Sequence, residues 1–203
     1  MRNLRLAGVI GSVLFLVGLF LLATVPGGGD VDAAQFQEFY VTDDGTATAI
    51  LGMFVMTLGC LALLWFLWEL RTSIGTPLAG LGFASGATGL ALVVAGAALL
   101  EAPSGVQAFS DADFVGEQVA HAFAQAGWAA ILVGGALFLG LAIAISSLAA
   151  RQTGALPAWV TVAGFVVAAL QLGAFIWLPS LAIPVWFLLA ALTAGQRATG
   201  SAS

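Results

Sequence analysis

Apolar residues run along this chain in long blocks separated by short polar stretches. The blocks cover 6–25, 47–68, 77–100, 127–149, 158–178 and 181–194. A helix needs roughly 20 apolar residues to cross a hydrocarbon core, and all but the last block approach that length. Pro26 and the run Gly27-Gly28-Gly29 stop the first block, because proline cannot continue a helix and glycine favours turns. Pro77 opens the third block and Pro157 the fifth, where a missing N–H costs nothing. The pattern predicts an all-α bundle with six membrane-crossing helices in three outward-closed hairpins. Outer segments fall at 26–46 and 101–126, and a short polar tail at 195–203. No room remains for a second domain.

The outer segments carry their own helical signals. Phe36, Phe39 and Tyr40 cluster at near-helical spacing and predict a short interfacial helix. Ser110 followed by Asp113 resembles a capping box with Asp in place of Glu. A helix from 111 to 150 would be about 60 Å long at 1.5 Å per residue, longer than a bilayer, so it is expected either to project outward or to bend at Gly116 or Gly127. The first block has a basic start and resembles a signal peptide, but its apolar stretch is too long and its cleavage pattern poor. It is expected to be kept as a span.

Composition agrees with a lipid solvent: 61% of the residues are hydrophobic and 7% charged, where soluble domains carry about a quarter charged residues. The net charge of −5 hides a segregation by side. There is no lysine, and the five arginines, Arg2, Arg5, Arg71, Arg151 and Arg197, all lie at block ends on one side. Nine of the ten acids lie in the two alternate segments, and the tenth, Glu69, sits beside Arg71. That is the positive-inside pattern, with both termini cytoplasmic in the cell membrane. A basic nucleic-acid surface is absent, so no nucleic-acid partner is expected. The single cysteine, Cys60, excludes an intrachain disulfide and two-cysteine redox chemistry. It reads as a buried small hydrophobe.

The third block is dense in small residues. Gly82, Ser85, Gly86 and Gly89 would let another helix approach closely, so this helix is expected to be the central and most buried one. Such spacing also arises by composition alone in Gly/Ala-rich chains. Gly86→Leu is expected to overpack and destabilise by about 1–3 kcal/mol.

One constellation could bear chemistry. Asp113, Glu117, His121 and Gln125 are spaced by four and share one stripe of a helix, with Val115, Val119, Ala122, Phe123 and Ala126 opposite. With Glu101 added they could ligate a divalent metal, and His121 could pass a proton. A solvated polar face is the plainer reading, and no cofactor or metal is expected. Gln171 is the most polar residue deep within a block; an interhelical hydrogen bond is favoured over substrate contact. Pumps and coupled transporters place ionisable groups inside the membrane, and here such groups lie only at the margins. No phosphate loop, paired metal ligands or activated nucleophile is present, so an enzyme is not expected.

Phe39-Tyr40, Leu64-Trp65-Phe66-Leu67-Trp68-Glu69-Leu70-Arg71 and Thr153-Gly154-Ala155-Leu156-Pro157-Ala158-Trp159 resemble a broad group of small six-helix actinobacterial membrane proteins of uncharacterised function. The layout matches over nearly the whole chain. Ala158 stands where that group usually carries a basic residue. The resemblance implies a six-span membrane protein and no activity. The expected role is a non-enzymatic scaffold or partner subunit, with the bilayer and a membrane-protein partner or second copy as its contacts. The alternative is a carrier of a small or apolar molecule, with a cavity opening outward near His121.

The charge pattern makes orientation testable. In a Cys60→Ala background, single cysteines at Asp43 and Ser104 should react with an impermeant maleimide in intact cells, and one at Thr153 should not. Reaction at Thr153 with silence at Asp43 would reverse the orientation.

Overall fold

The computed structural model describes residues 2–26, 38–39, 43–110 and 116–194. Asp113, the Ser110–Asp113 capping pair as a unit, most of the aromatic segment 36–40, Arg197 and the tail lie outside the described residues or their described side chains. Phe39 is described; it is helical and half-buried against the core.

All regular structure among the described residues is helical. Helix α1 spans Arg2–Leu22, α2 Asp43–Ile74 and α3 Pro77–Ser110. A fourth rod comprises α4 (Glu117–Ala129), a π-helical segment (Ala130–Gly135) and α5 (Ala136–Thr153). Helix α6 (Ala158–Leu170) leads through tighter turns at Gln171–Ile176 and Leu178–Leu181 into α7 (Ala182–Thr193). Four stretches, in α1, α2, α3 and the fourth rod, are long and apolar enough to cross a membrane, and two shorter apolar helices follow. Among the described residues the expected count of six apolar helices therefore fits.

The element ends follow local chemistry. Gly75 takes φ +70° and ends α2 with its N–H on the Arg71 carbonyl at 2.9 Å. Thr76 then caps α3, its hydroxyl accepting from the Ala79 N–H at 3.3 Å. Gly154, also at φ +70°, ends α5. Several block boundaries move. Helix α3 runs past Leu100 through Pro103 to Ser110, so Glu101 belongs to a helix and not to an outer loop. Gly116 has φ +88° and directly precedes α4. The irregularity in the fourth rod falls at Ala130–Gly135, not at Gly127. Gly127 is instead used for packing.

Close approach between helices is made by glycines at seven-residue spacing. On α3, a Cβ at Gly82 would lie 2.7 Å from Ser146 Oγ, one at Gly89 2.9 Å from the Leu139 nitrogen, and one at Gly96 2.6 Å from the Gly127 carbonyl oxygen. These contacts run α3 antiparallel to the fourth rod. The pair α1–α2 repeats the device: Gly11 meets Leu63, Gly18 meets Met56, and Gly59 meets the backbone of Leu14 and Phe15. At Gly86 the nearest atom is the Leu67 side chain at 2.5 Å, and Ser85 Oγ donates to the Phe138 carbonyl at 2.9 Å. Contacts at such short range supply dispersion between the helices directly, the mode of association available where apolar side chains gain nothing by leaving the solvent.

The last helix closes the arrangement onto the first. Gly8 accommodates Ala191 and Phe66. Phe66 and Phe187 meet edge to face at 5.9 Å, and Trp186 Nε1 donates to the Val160 carbonyl at 3.1 Å. Consecutive helices thus pack in a ring, which removes the expected centrality of α3. The apolar stretches of α1, α3 and the fourth rod are each 44% buried, and that of α2 39%. In a ring every helix has two flanks covered and one face outward. That face is apolar: Leu6, Ile10, Val13, Val17 and Phe20 line it on α1, and Phe54, Leu58, Leu61, Trp65 and Trp68 on α2.

The packing reorders the expected cost of glycine substitution. Gly96→Ala should lower the melting temperature in detergent more than Gly86→Ala, because Gly96 abuts backbone while Gly86 abuts a movable leucine end. Overpacking of this kind costs about 1–3 kcal/mol. Gly80→Ala, whose nearest neighbour is 3.9 Å away, serves as a control and should be neutral. Equal melting for Gly96→Ala and Gly80→Ala would show that the α3–α4 seam is looser than described.

Candidate functional site: the two ends of the bundle

The end distant from the arginines holds the polar stripe. Backbone of Glu117 opens α4. His121 is half-buried and Gln125 exposed, with Gln125 Nε2 2.7 Å from His121 Nε2 in a hydrogen bond. Spacing of four therefore does join these two side chains. The apolar face proposed opposite them is not the packed one. Val119 and Phe123 are exposed, whereas Ala120, Ala124 and Gly127 are buried. Large apolar side chains face outward and small ones inward, the reverse of a soluble amphipathic helix, because the packed seam demands small residues.

Two neighbouring groups on α3 were not foreseen as buried. Glu101 is 6% exposed with Oε1 unpartnered, and Ser104, one turn on, is fully buried with Oγ unpartnered. The carboxylate lies beside Gly105, whose absent Cβ would sit 3.4 Å from Oε2. Continuing the register set by Gly89–Gly135 and Gly96–Gly127 puts Val119 and Ala120 at the level of Ser104, within one turn of His121. Ser104 is therefore no fair reporter for surface labelling. Among the described residues, no three of His, Cys, Asp and Glu converge on one point. Sequence reading took Glu101 for a loop residue since it directly follows the apolar block, and only continuation of the helix through Pro103 buries it.

Gln171 is 1% exposed, and its hydrogen bond between helical segments is a local one across the chain reversal. Its Nε2 donates to Val167 of its own turn at 3.1 Å and to Pro179 across the reversal at 2.9 Å. Its methylenes fill the space left by Gly140 on α5. Gln171 thus ties the end of α6 to the approach to α7.

The arginine end is built differently. Arg5 Nε and Nη2 donate to the Ala194 carbonyl at 3.2 and 3.1 Å, a cation at the C-terminal end of α7 that satisfies a free carbonyl. The Arg71 guanidinium carbon lies 5.0 Å from the Trp68 ring centre and 5.6 Å from that of Phe83. Those two rings meet edge to face at 5.5 Å. Glu69, adjacent in sequence, accepts instead from Trp65 Nε1 at 3.3 Å. From this cluster two grooves run along the α2–α3 seam, of about 350 and 380 Å³, sharing Leu61 and Leu64. Ala87, Ala91, Ala95 and Ala98 line the farther one, together with Cys60.

No family model, curated protein or solved structure matches this chain.

A buried carboxyl with one oxygen unpartnered among the described residues, as at Glu101, is a cost that function or history must explain. Glu101→Met should raise the melting temperature in detergent, since it replaces that group with an apolar one of similar length. A fall would show that the carboxyl contributes net stability through a bond.

Proposed function

We propose that this chain is a non-enzymatic multi-pass integral membrane protein of the cell membrane, with both termini cytoplasmic, acting as a scaffold or partner subunit. The observation that carries this reading is how the helices spend their polar side chains. Ser12 donates to the Gly8 carbonyl at 2.7 Å, Thr57 to Met53 at 2.8 Å, Thr161 to Ala158 at 2.8 Å and Thr193 to Leu189 at 2.7 Å. Each bonds back onto its own helix. Trp186 and Gln171 likewise bond to backbone carbonyls. Polar groups used this way hold helices in place and do not line a path for a hydrated solute. The six apolar helices and the one-sided arginines support insertion with the arginine end inward.

Glu101, Ser104 and His121 support a second reading, a carrier whose site opens at the outer end. The buried oxygens of Glu101 and Ser104 would meet a cation or hydrogen-bond donor arriving from outside.

Native mass spectrometry of the tagged chain, extracted from its own membranes in mild detergent, separates the two. A second membrane polypeptide or a second copy at fixed stoichiometry is expected. A monomer whose bound small solute disappears in Glu101→Gln would overturn the scaffold reading and establish the carrier.

A further inference from the structure

At the arginine end, a cation and an apolar groove meet in a form that suits one class of molecule. Arg71 packs its guanidinium against Trp68 and Phe83, which fixes it at the mouth of the α2–α3 seam. No carboxylate pairs with it among the described residues, as the adjacent Glu69 is bonded to Trp65. A guanidinium held by ring stacking keeps its N–H donors for a planar or tetrahedral anion, and phosphate fits that fork. Below Arg71 the groove is walled by Trp68, Phe83, Trp65, Leu61 and Leu64. It continues past Ala87, Ala91, Ala95 and Ala98, which keep it open through their small size. From Phe83 to Ala98 the seam is roughly 22 Å long at 1.5 Å per residue. That exceeds one leaflet of hydrocarbon, roughly 15 Å as half of the core thickness. The tryptophans stand where interfacial rings are favoured, beside the headgroup level.

We propose that the α2–α3 seam is a selective site for an anionic phospholipid of the inner leaflet, its phosphate on Arg71 and one acyl chain along the alanine-lined groove. The charge at the mouth decides the class. A neutral helix or acyl chain would use the groove alone and leave Arg71 without an anion. Basic pockets between membrane helices on the cytoplasmic side recognise lipid headgroups by this chemistry. The proposal rests on the bundle being membrane-embedded with its arginine end inward, but not on the scaffold role.

The test uses the full chain purified in mild detergent and titrated with phosphatidylglycerol or phosphatidylcholine of identical acyl chains, read by native mass spectrometry. One phosphatidylglycerol per chain should be retained at roughly tenfold lower concentration than phosphatidylcholine, whose quaternary ammonium offsets the phosphate charge that Arg71 attracts. Arg71→Gln should abolish that preference. Arg151→Gln removes the same charge from the same end but away from the groove, and should keep it. Ala91→Trp fills the groove at an exposed position, so the fold should survive by circular dichroism while retention of both lipids falls. Millimolar inorganic phosphate should not displace the lipid; displacement would point to a free-phosphate site and overturn the assignment. Equal retention of the two lipids, or equal loss in Arg71→Gln and Arg151→Gln, would also overturn it. A dimer mass that vanishes in Ala91→Trp with lipid retention unchanged would give the groove to a second copy. Release of the wild-type chain from membranes by alkaline carbonate would defeat the membrane reading itself, a failure distinct from lipid indifference.

Discussion

Backbone must touch backbone for this bundle to hold. In water, helices associate because apolar side chains leave the solvent; in hydrocarbon that drive is missing, and contact distance becomes the main source of attraction. Glycines at Gly82, Gly89 and Gly96 on α3, and at Gly11, Gly18 and Gly59 on α1 and α2, remove the side chain wherever a neighbouring helix crosses. Seven-residue spacing keeps each set on one helix face. The rest of the architecture depends on these two seams. With α1 locked to α2 and α3 to the fourth rod, α6 and α7 need only bridge them, and they do so with aromatic rings and backbone hydrogen bonds.

The same constraint sorts residue size along the glycine seams. On α4 small residues turn inward and bulky ones outward, so Ala120 and Ala124 are buried while Phe123 is exposed, whereas Phe66, Trp186 and Phe187 fill the core away from those seams. An outer surface of this kind is stable only against an apolar solvent. It also explains why the polar atoms inside are few and mostly returned to the backbone of their own turn, since an unpaired polar group in such surroundings is costly. Oxygens of Glu101, Ser104, Ser147, Gln171 and Ser180 stand apart from that economy. Glu101 and Ser104 lie toward the C-terminal end of α3, Glu101 about 36 Å along its axis from Pro77 at 1.5 Å per residue.

The two ends of the bundle therefore differ in kind. At one end Arg5 is used structurally, closing the last helix, and Arg71 is braced by rings with no acid paired to it among the described residues. The opposite end holds the backbone of Glu117, His121 and the buried Glu101.

Much of this was legible in residue order. Helix count, the start at Pro77 and the packing use of Gly82 and Gly89 follow from local propensity or from a periodicity along one helix, and such signals survive in a single sequence. What the sequence could not supply depends on partners distant along the chain. The ring closure of α7 on α1 rests on Gly8 meeting Ala191, and the burial of Glu101 on a helix that ignores the end of its apolar block. The Arg71 mouth and its groove need Phe83 and the alanines of α3 set against α2. Periodicity tells which residues share a face. Only the crossing of two helices decides what that face meets.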